Sequence, residues 1–277
     1  MDIVCVGDCG IDHYLPSNER LLGGITANFA RHARDVFPTG DRIQIVSCVG
    51  DDDAAELVMA PLESSGVECH ISRLDGATPV QYIAVEGNGE RNFVRYDAGV
   101  LSDLVFSGKQ RELISGSDLL VAPVYLQIVG LFDELMAIKT SGLVSVDFAD
   151  FLQHPDFRLL EAQIDRIDIG FFGLTIENRS AIDRIRALAA LHGKLFIVTL
   201  GEHGSRAFFG DQQFDCPAAD VTEVVDTTGA GDAYAAAFLS GYIHGADVRD
   251  SMHRGAALAA KVIGFVGSHR SGKEIGV

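Results

Sequence analysis

The stretch that decides the fold is Asp226-Thr227-Thr228-Gly229-Ala230-Gly231-Asp232-Ala233, which continues as Tyr-Ala-Ala-Ala-Phe-Leu to position 239. A strand-like run, Val221 to Val225, precedes this stretch. The small residues that follow the glycines are typical of a packed helix. This pattern places Gly229 to Gly231 at a helix N-terminus, where unpaired N–H groups and the helix dipole attract an anion. Because glycine has no Cβ, the backbone can approach that anion closely. The stretch therefore predicts an anion-binding loop.

Asp232 falls in the first turn of the predicted helix. A carboxylate repels a bound phosphate, but it suits a general base that takes a proton from a hydroxyl attacking phosphorus. The alternative is an acid that only complements the helix dipole, which is common at helix starts. The neighbouring Asp226 and the paired threonines favour the catalytic role.

Two other glycine patterns fail as nucleotide-binding motifs. Residues 267–273 have the G-x-x-x-x-G-K spacing of a P-loop, but Glu274 stands where a magnesium-binding Ser or Thr belongs. Gly87-x-Gly89 lacks the third glycine of a dinucleotide fingerprint. A dehydrogenase is therefore excluded.

Short β-branched runs alternate with helix-period segments along the chain. An example of the latter is Glu177 to His192. Runs that are apolar on both faces are typical of parallel strands buried between two helix layers. The expected fold is α/β, with a mainly parallel sheet flanked by helices, in one domain over residues 1–277. The predicted strands are Ile3–Gly7, Ile43–Val49, Leu119–Val124, Leu143–Phe148, Ile167–Phe172 and Leu195–Leu200.

The region 79–97 departs from this alternation. Two extended runs flank Gly87-Asn88-Gly89, a turn-forming cluster that predicts a β-hairpin. Simple alternation puts Arg91, Phe93 and Arg95 on one face of its second strand, and Asn92, Val94 and Tyr96 on the other. A hairpin that is polar on both faces predicts a projecting flap; a plain edge hairpin is the alternative.

Composition limits the partners. The 277 residues carry a net charge of -17, and such an acidic surface disfavours nucleic acid and anionic membranes. No apolar stretch is long enough to span a bilayer, and no basic leader follows Met1-Asp2. The five cysteines have no C-x-x-C spacing, which favours reduced core thiols and a cytoplasmic location.

Several motifs together resemble the ribokinase-like (PfkB) family of carbohydrate kinases. Residues 226–232 are similar to its C-terminal signature, Thr199-Leu-Gly-Glu-His-Gly204 to its nucleotide-binding turn, and Gly23-Gly-Ile-Thr-Ala-Asn28 to its sugar-binding glycine pair. Gly7 followed by Asp12, and Val49-Gly-Asp-Asp52, complete the match in family order.

The resemblance implies a three-layer sandwich with sugar under a small β-lid, formed by residues of about 12–22 and 79–97, and ATP over the C-terminal half. It implies Asp232 as catalytic base with the amides of Gly229, Ala230 and Gly231 on the transferring phosphoryl group. The other implied site residues are Asp12, Gly24 and Asn28 for substrate hydroxyls, and Thr199, Gly201, Gly204 and Thr228 for the nucleotide.

Some positions depart from the family pattern. Glu177 matches the Glu of the magnesium motif, but Leu174 stands where an Asn is common. The resemblance then implies Mg²⁺ held through Glu177 and waters, with Asn178 as a substitute. Asp226 and Thr228 match positions that form a monovalent-cation site in relatives, which suggests K⁺ activation. Ile25 replaces a ribokinase Lys, which argues against ribokinase itself.

The segments 7–12, 147–150, 199–205 and 259–263 are similar to those of fructoselysine 6-kinases. This resemblance predicts a sugar or fructosyl-amino-acid substrate. Arg91, Asn92 and Arg95 on the lid suit a zwitterion, because Arg pairs with a carboxylate; solvated lid charges are the alternative. A fructokinase, a nucleoside kinase or a catalytically weak sugar or nucleotide sensor stay open. Relatives also suggest a homodimer joined through the lids.

Overall fold

The structure, a computed structural model, describes residues 1–15, 17–85, 91–149 and 157–269. Its strands are β1 (Asp2–Val6), β2 (Gly10–Leu15), β3 (Glu19–Gly23), β4 (Arg42–Gly50), β5 (Glu68–Leu74), β6 (Val80–Val85), β7 (Arg91–Asp97), β8 (Leu119–Pro123), β9 (Leu143–Asp147), β10 (Ile169–Gly173), β11 (Leu195–Thr199), β12 (Ser205–Phe209) and β13 (Gln212–Cys216). Its α-helices are α1 (Ile25–Val36), α2 (Ala54–Ser64), α3 (Gly108–Ser115), α4 (Val129–Ala137), α5 (Arg158–Gln163), α6 (Arg179–His192), α7 (Ala230–Ile243) and α8 (Val248–Val262). Short 3-10 helices cover Gly99–Asp103, Leu126–Ile128, Ile164–Arg166 and Gly201–His203.

The central sheet has nine strands in the order β13-β12-β11-β10-β9-β8-β1-β4-β5. Its strands are parallel from β11 through β5, and β12 and β13 pair antiparallel at one edge. This confirms the mainly parallel sheet and all six predicted strands. These strands are covered on both faces, so their sequences are continuously apolar, and that pattern made them predictable.

Two hydrophobic clusters lie on opposite faces of this sheet. Alternate residues of β1 separate accordingly, with Val4 and Val6 in one cluster and Ile3 and Cys5 in the other. The first cluster is covered by α3 to α6, and the second by α1, α2, α7 and α8. The fold is thus the expected three-layer sandwich. Within the described residues, no helix combines the length and apolarity needed to cross a bilayer.

The expected strand over Val221 to Val225 is wrong. These residues form no strand, and Val221 and Val224 are exposed. Their run instead meets the end of α8, where the Val225 N–H donates to the Ile263 carbonyl at 2.8 Å. A β-branched run becomes a strand only where a partner strand is available, and here β13 already ends the sheet.

A second sheet of four strands, in the order β3-β2-β6-β7, forms the lid. Where one strand was expected over residues 12–22, the chain makes the antiparallel pair β2 and β3. Asn18, with φ 60°, lies between them in the left-handed region that Asn tolerates. The hairpin strands predicted in 79–97 are present as β6 and β7, while the predicted turn at 87–89 lies outside the described residues.

A β-bulge changes the faces of β7. Arg95 lies opposite Tyr82 and Phe93 opposite Ile83, so Val94 is the extra residue between two adjacent positions of β6. The expectation that Phe93 and Arg95 share a face is therefore wrong. Cross-strand partners lie on the same face, so Arg95 follows Tyr82 and Phe93 follows Ile83, on opposite faces of the lid.

Candidate active site

The anion-binding loop lies at the N-terminus of α7, as the sequence predicts. Gly229, with φ 77°, precedes the helix in the left-handed region that favours glycine. A Cβ at this position would lie 2.3 Å from the Ser268 Cβ, so glycine is also required for space. Gly231 is exposed, and a Cβ there would meet nothing within 4 Å. The loop therefore packs closely against Ser268 at Gly229 and faces open space at Gly231.

Asp232 lies in the first turn of α7 and is 8% exposed. Its Oδ2 accepts a hydrogen bond from the Asn28 Nδ2 at 2.9 Å. The Asn28 Oδ1 accepts in turn from the Ser268 Oγ at 2.5 Å. The predicted base and the predicted sugar-binding Asn, from opposite ends of the chain, are thus in direct contact.

A second helix N-terminus, that of α1, converges on the same place. Asp8 accepts from the Ile25 and Thr26 N–H groups at 3.1 and 3.0 Å, and from the Thr26 hydroxyl at 3.0 Å. Burial raises the pKa of Asp8 above the ordinary Asp range, and these hydrogen bonds oppose that rise. Gly24, with φ 102°, is required here because a Cβ would lie 2.9 Å from the Asp8 carbonyl oxygen.

A pocket lies between α1 and α7, over the carboxyl ends of β8 and β9. In an open parallel sheet this end is where ligands bind. The pocket is adjacent to the Asn28–Asp232 contact, since Asp232 lines it. Its other lining residues include Ile25, Thr26, Pro123, Ser145, Asp147 and Phe171.

Asp12, a predicted substrate ligand, lies on the lid. It lies on β2, is 4% exposed, and packs against the backbone of Gly23 on β3, where a Cβ would lie 2.1 Å from its Oδ1. Tyr14 lies on the same face of β2 and donates from its hydroxyl to the Asp226 Oδ2 at 2.7 Å. The lid strand thus contacts the loop that begins the catalytic motif.

Asp226 is fully buried and accepts four hydrogen bonds. Its Oδ1 accepts from the Thr228 N–H and hydroxyl, and its Oδ2 from the Tyr14 hydroxyl and the Gly267 N–H. These hydrogen bonds stabilise the loop. K⁺ activation through Asp226 and Thr228 stays untested, and the four donors around the carboxylate oppose an ion bound directly to it.

Three of the four predicted nucleotide residues, Thr199, Gly201 and Gly204, lie at the carboxyl end of β11, whereas Thr228 lies in the loop before α7. Thr199 ends that strand, and the Leu200 N–H donates to the Gly204 carbonyl at 2.8 Å to close a tight turn. Gly201 and Gly204 have φ of 57° and 82°, and a Cβ on Gly204 would lie 2.2 Å from the Cys216 carbonyl oxygen. Glycine is therefore needed in this turn.

Glu177 lies next to this turn, between β10 and α6. It is exposed, and a hydrogen bond from the Thr175 side chain lowers the pKa of its carboxyl group. Leu174 is buried in the core, so the side chain at this position serves packing. The Asn178 side-chain oxygen is occupied by the Thr175 N–H and hydroxyl, at 2.8 and 2.9 Å. Glu177 is therefore the one of these three residues that presents a carboxylate to solvent.

Asn92 and Arg95 lie on the face of the lid opposite to that of Asp12, which pairs with Gln81 of β6. Arg95 is exposed, pairs with Asp97 at 2.8 Å and places its guanidinium 4.2 Å from the Tyr82 ring centroid. Asn92 is exposed and lies opposite Ala84, on the Tyr82 face. Arg91 lies at the register position opposite Val85. The structure therefore does not support Arg95 and Asn92 as residues that bind one ligand together with Asp12.

Sequence reasoning missed Tyr14, Ser268 and Asp8. Tyr14 contacts a residue 212 positions away, and Ser268 one 240 positions away, so no local pattern relates them. Asp8 has a weak local signal, since it follows Gly7 at the end of the first strand, the expected place for a site residue.

Comparison with known proteins agrees with this geometry. Residues 2–137 and 167–274 match the pfkB family of carbohydrate kinases. The chain belongs to that family. It is a carbohydrate kinase, a phosphotransferase that acts on a hydroxyl group.

This carbohydrate kinase is 30% identical over 269 residues to a fructoselysine 6-kinase of Shigella flexneri, covering 96% of the chain and 98% of the relative. It is 28% identical over 273 residues to a fructosamine kinase of Bacillus subtilis, covering 97% and 93%. Its fold matches that of an Escherichia coli protein assigned as ribokinase II and solved with ATP and Mg²⁺. That match has a TM-score of 0.79 and 20% identity, and covers 96% of this chain and 94% of the other.

Proposed function

We propose that this carbohydrate kinase transfers the γ-phosphoryl group of ATP to a hydroxyl of a fructosyl-amino acid such as fructoselysine. Two relatives with that type of activity, aligned over almost the whole chain, support the substrate class. The observation that carries the chemistry is the Asn28–Asp232 hydrogen bond of 2.9 Å at the N-terminus of α7. This contact supports Asp232 as a base that acts beside a substrate-binding Asn28.

In the proposed reaction the Asp232 carboxylate accepts the proton of the sugar hydroxyl. The hydroxyl oxygen bonds to the γ-phosphorus as the bond from that phosphorus to the β,γ-bridging oxygen breaks, which leaves ADP. The N–H groups of Gly229, Ala230 and Gly231 donate to the transferring phosphoryl group, where the helix dipole favours negative charge. Asn28 orients the carboxylate, because its Nδ2 donates to Oδ2.

Asp12, Gly24 and Asn28 bind the sugar hydroxyls in this proposal. Asp12 reaches the sugar from the lid and the other two from the start of α1. Closure of the lid over the sugar excludes water, which would otherwise hydrolyse ATP.

The amino-acid part of the substrate extends toward the lid. Arg91 is the candidate for its carboxylate, with Asn92 and Arg95 as further candidates. Arg95 would have to release Asp97, 2.8 Å away, before it could bind a ligand. A homodimer through the lids would bring further lid side chains to the site; light scattering on the purified protein tests that arrangement.

The nucleotide lies over the carboxyl end of β11 in this proposal, against Thr199, Gly201, Gly204 and Thr228. Mg²⁺ usually keeps several waters and binds one or two carboxylates together with substrate phosphates. Glu177, exposed and with a lowered carboxyl pKa, fits such a contact through water. When bound, the ion neutralises charge on the triphosphate.

The test is magnesium- and ATP-dependent ADP release over a panel of fructosyl-lysine, other fructosyl-amino acids, fructose, ribose, 2-keto-3-deoxygluconate and adenosine. Asp232→Asn is the blank. Selective turnover of fructosyl-amino acids is the expected result. Preference for fructose or adenosine would replace the substrate with that of a fructokinase or a nucleoside kinase, and equal turnover by the blank would overturn the role of Asp232.

A further inference from the structure

Three side chains with metal-binding atoms converge beside the active site, in a place that the proposed reaction does not use. His32 and Asp35 are on α1, and His269 lies beyond α8. Their candidate ligand atoms all lie within 4.8 Å of one another. The spacing i, i+3 on α1 puts the first two on one side of the helix.

Both imidazoles have a ring nitrogen that is buried and lacks a hydrogen-bond partner, the Nε2 in each case. His32 is 1% exposed, so this atom cannot be satisfied by bulk water. An unpaired buried polar atom is costly, and nearly all such atoms in proteins have a partner. The two rings are stacked with centroids 3.8 Å apart, which brings the unpaired nitrogens to one region.

The remaining nitrogens of the two rings are held by one residue. Ser268 accepts from His32 through its backbone, and its Oγ lies 3.0 Å from the His269 Nδ1. Histidines that bind metals typically engage their second nitrogen in this way, which orients the free nitrogen toward the ion.

We propose that His32, Asp35 and His269 bind a divalent transition-metal ion such as Zn²⁺, which fastens residues 267–269 to helix α1. Two imidazoles and one carboxylate form a usual ligand set for zinc with an open fourth position.

Small movements complete the site. Zinc holds such ligands at about 2.0–2.2 Å, so tetrahedral ligand atoms lie roughly 3.4 Å apart. Asp35 is exposed and can rotate toward the histidines, and its side gives an ion access from solvent.

The site lies close to the catalytic residues. His269 follows Ser268, whose hydroxyl binds Asn28, and Gly267, whose N–H binds Asp226. An ion on His269 therefore holds the segment that closes on Gly229. This ion is distinct from the Mg²⁺ of the nucleotide, since its ligands include two imidazole nitrogens and Mg²⁺ prefers oxygen.

The test is isothermal titration calorimetry of the chelator-treated full chain with Zn²⁺ in excess Mg²⁺, without nucleotide or sugar. We expect one saturable site and at least about tenfold weaker binding in His269→Ala and in Asp35→Asn. The control is His253→Ala, because His253 contacts the Cys216 thiol at 3.4 Å and so offers zinc an alternative pair of ligands outside the proposed site. Absence of saturable binding, or equal affinity in all variants, would overturn the proposal.

A variant expected to bind Zn²⁺ more tightly shows that weaker binding in the other variants does not come from unfolding. Arg31 places its positive charge near both imidazoles, so Arg31→Gln should bind Zn²⁺ severalfold more tightly than the unmodified chain. Unchanged or weaker binding would place the ion elsewhere. Circular dichroism confirms that each variant is folded, and none of these measurements depends on the kinase reaction.

Discussion

Asn28 Nδ2 donates to Asp232 Oδ2 at 2.9 Å, while Asn28 Oδ1 accepts from Ser268 at 2.5 Å. Asp232 fixes the orientation of the amide, because a flip would turn Oδ1 toward a carboxylate that can only accept hydrogen bonds. The contact in turn orients the Asp232 carboxylate through Oδ2. The same contact joins the first helix of the chain to the helix that carries the anion-binding loop.

Asp232→Asn should lower kcat by about 10²–10⁴-fold, because the variant has no carboxylate to accept the hydroxyl proton. Sugar binding should change little, since Asn has the same shape. Steady-state kinetics and calorimetric titration with the substrate measure the two effects. A variant that keeps more than a tenth of the activity would remove Asp232 from the role of base.

Asn28→Asp should shift the kinetic pH profile upward. It places a second carboxylate 2.9 Å from Asp232, and like charges raise the pKa of the pair. The base is then protonated at neutral pH, so kcat falls there and recovers as the pH rises. Asn28→Ala is the control, since it removes the hydrogen bond without adding charge. If both variants had the same profile, the two side chains would not be coupled.

Gly229→Ala should inactivate the enzyme and destabilise it by more than about 1–2 kcal/mol, the cost of a left-handed residue alone. The added Cβ also collides with Ser268 at 2.3 Å. Gly231→Ala is the matched control, because its Cβ meets open space and its N–H is kept. Thermal unfolding and kcat should separate the pair, and equal behaviour would contradict the closed loop seen here.

Tyr14→Phe should reduce the free energy of unfolding by about 1.5–3 kcal/mol, because it removes a buried hydrogen bond to the Asp226 carboxylate. Tyr82→Phe, on the opposite face of the lid, should change it by less than about 0.5 kcal/mol. Urea unfolding measures both. A stable Tyr14 variant would mean that water replaces the phenol.

Rates in sodium and potassium buffers should agree within about twofold. Four donors already surround the Asp226 carboxylate, so a cation would have to displace one of them to bind it. Initial rates in matched chloride salts are sufficient. A several-fold higher rate in K⁺ would show that the Tyr14 hydroxyl gives way to the ion.

Much of the fold follows from local patterns in the sequence. The run Leu195–Leu200 predicts a strand because it is apolar on both sides, and Gly229 to Gly231 predict a helix start because glycine suits that conformation. The run at Val221 to Val225 is also rich in β-branched residues, but it joins neither of the two sheets. Propensity describes the chain locally, whereas strand formation depends on a partner.

The site was predictable only in part. Family resemblance brought Asn28 and Asp232 to one site, and the structure shows their direct contact. The bulge at Val94 puts Phe93 and Arg95 on opposite faces of the lid. It leaves no clear signal in the sequence, because one extra residue in a strand changes no local propensity. Contacts such as Tyr14 with Asp226 join distant residues, so only the folded chain reveals them.

The strand β2 carries both Asp12 and Tyr14, two residues apart on one face. If Asp12 binds the sugar as proposed and the strand moves as a rigid unit, withdrawing Asp12 also pulls the Tyr14 hydroxyl from Asp226. Opening of the lid would then loosen the loop before α7 in the same movement. In the proposed reaction, the phosphorylated sugar would leave as the contacts of that loop with its new phosphate weaken.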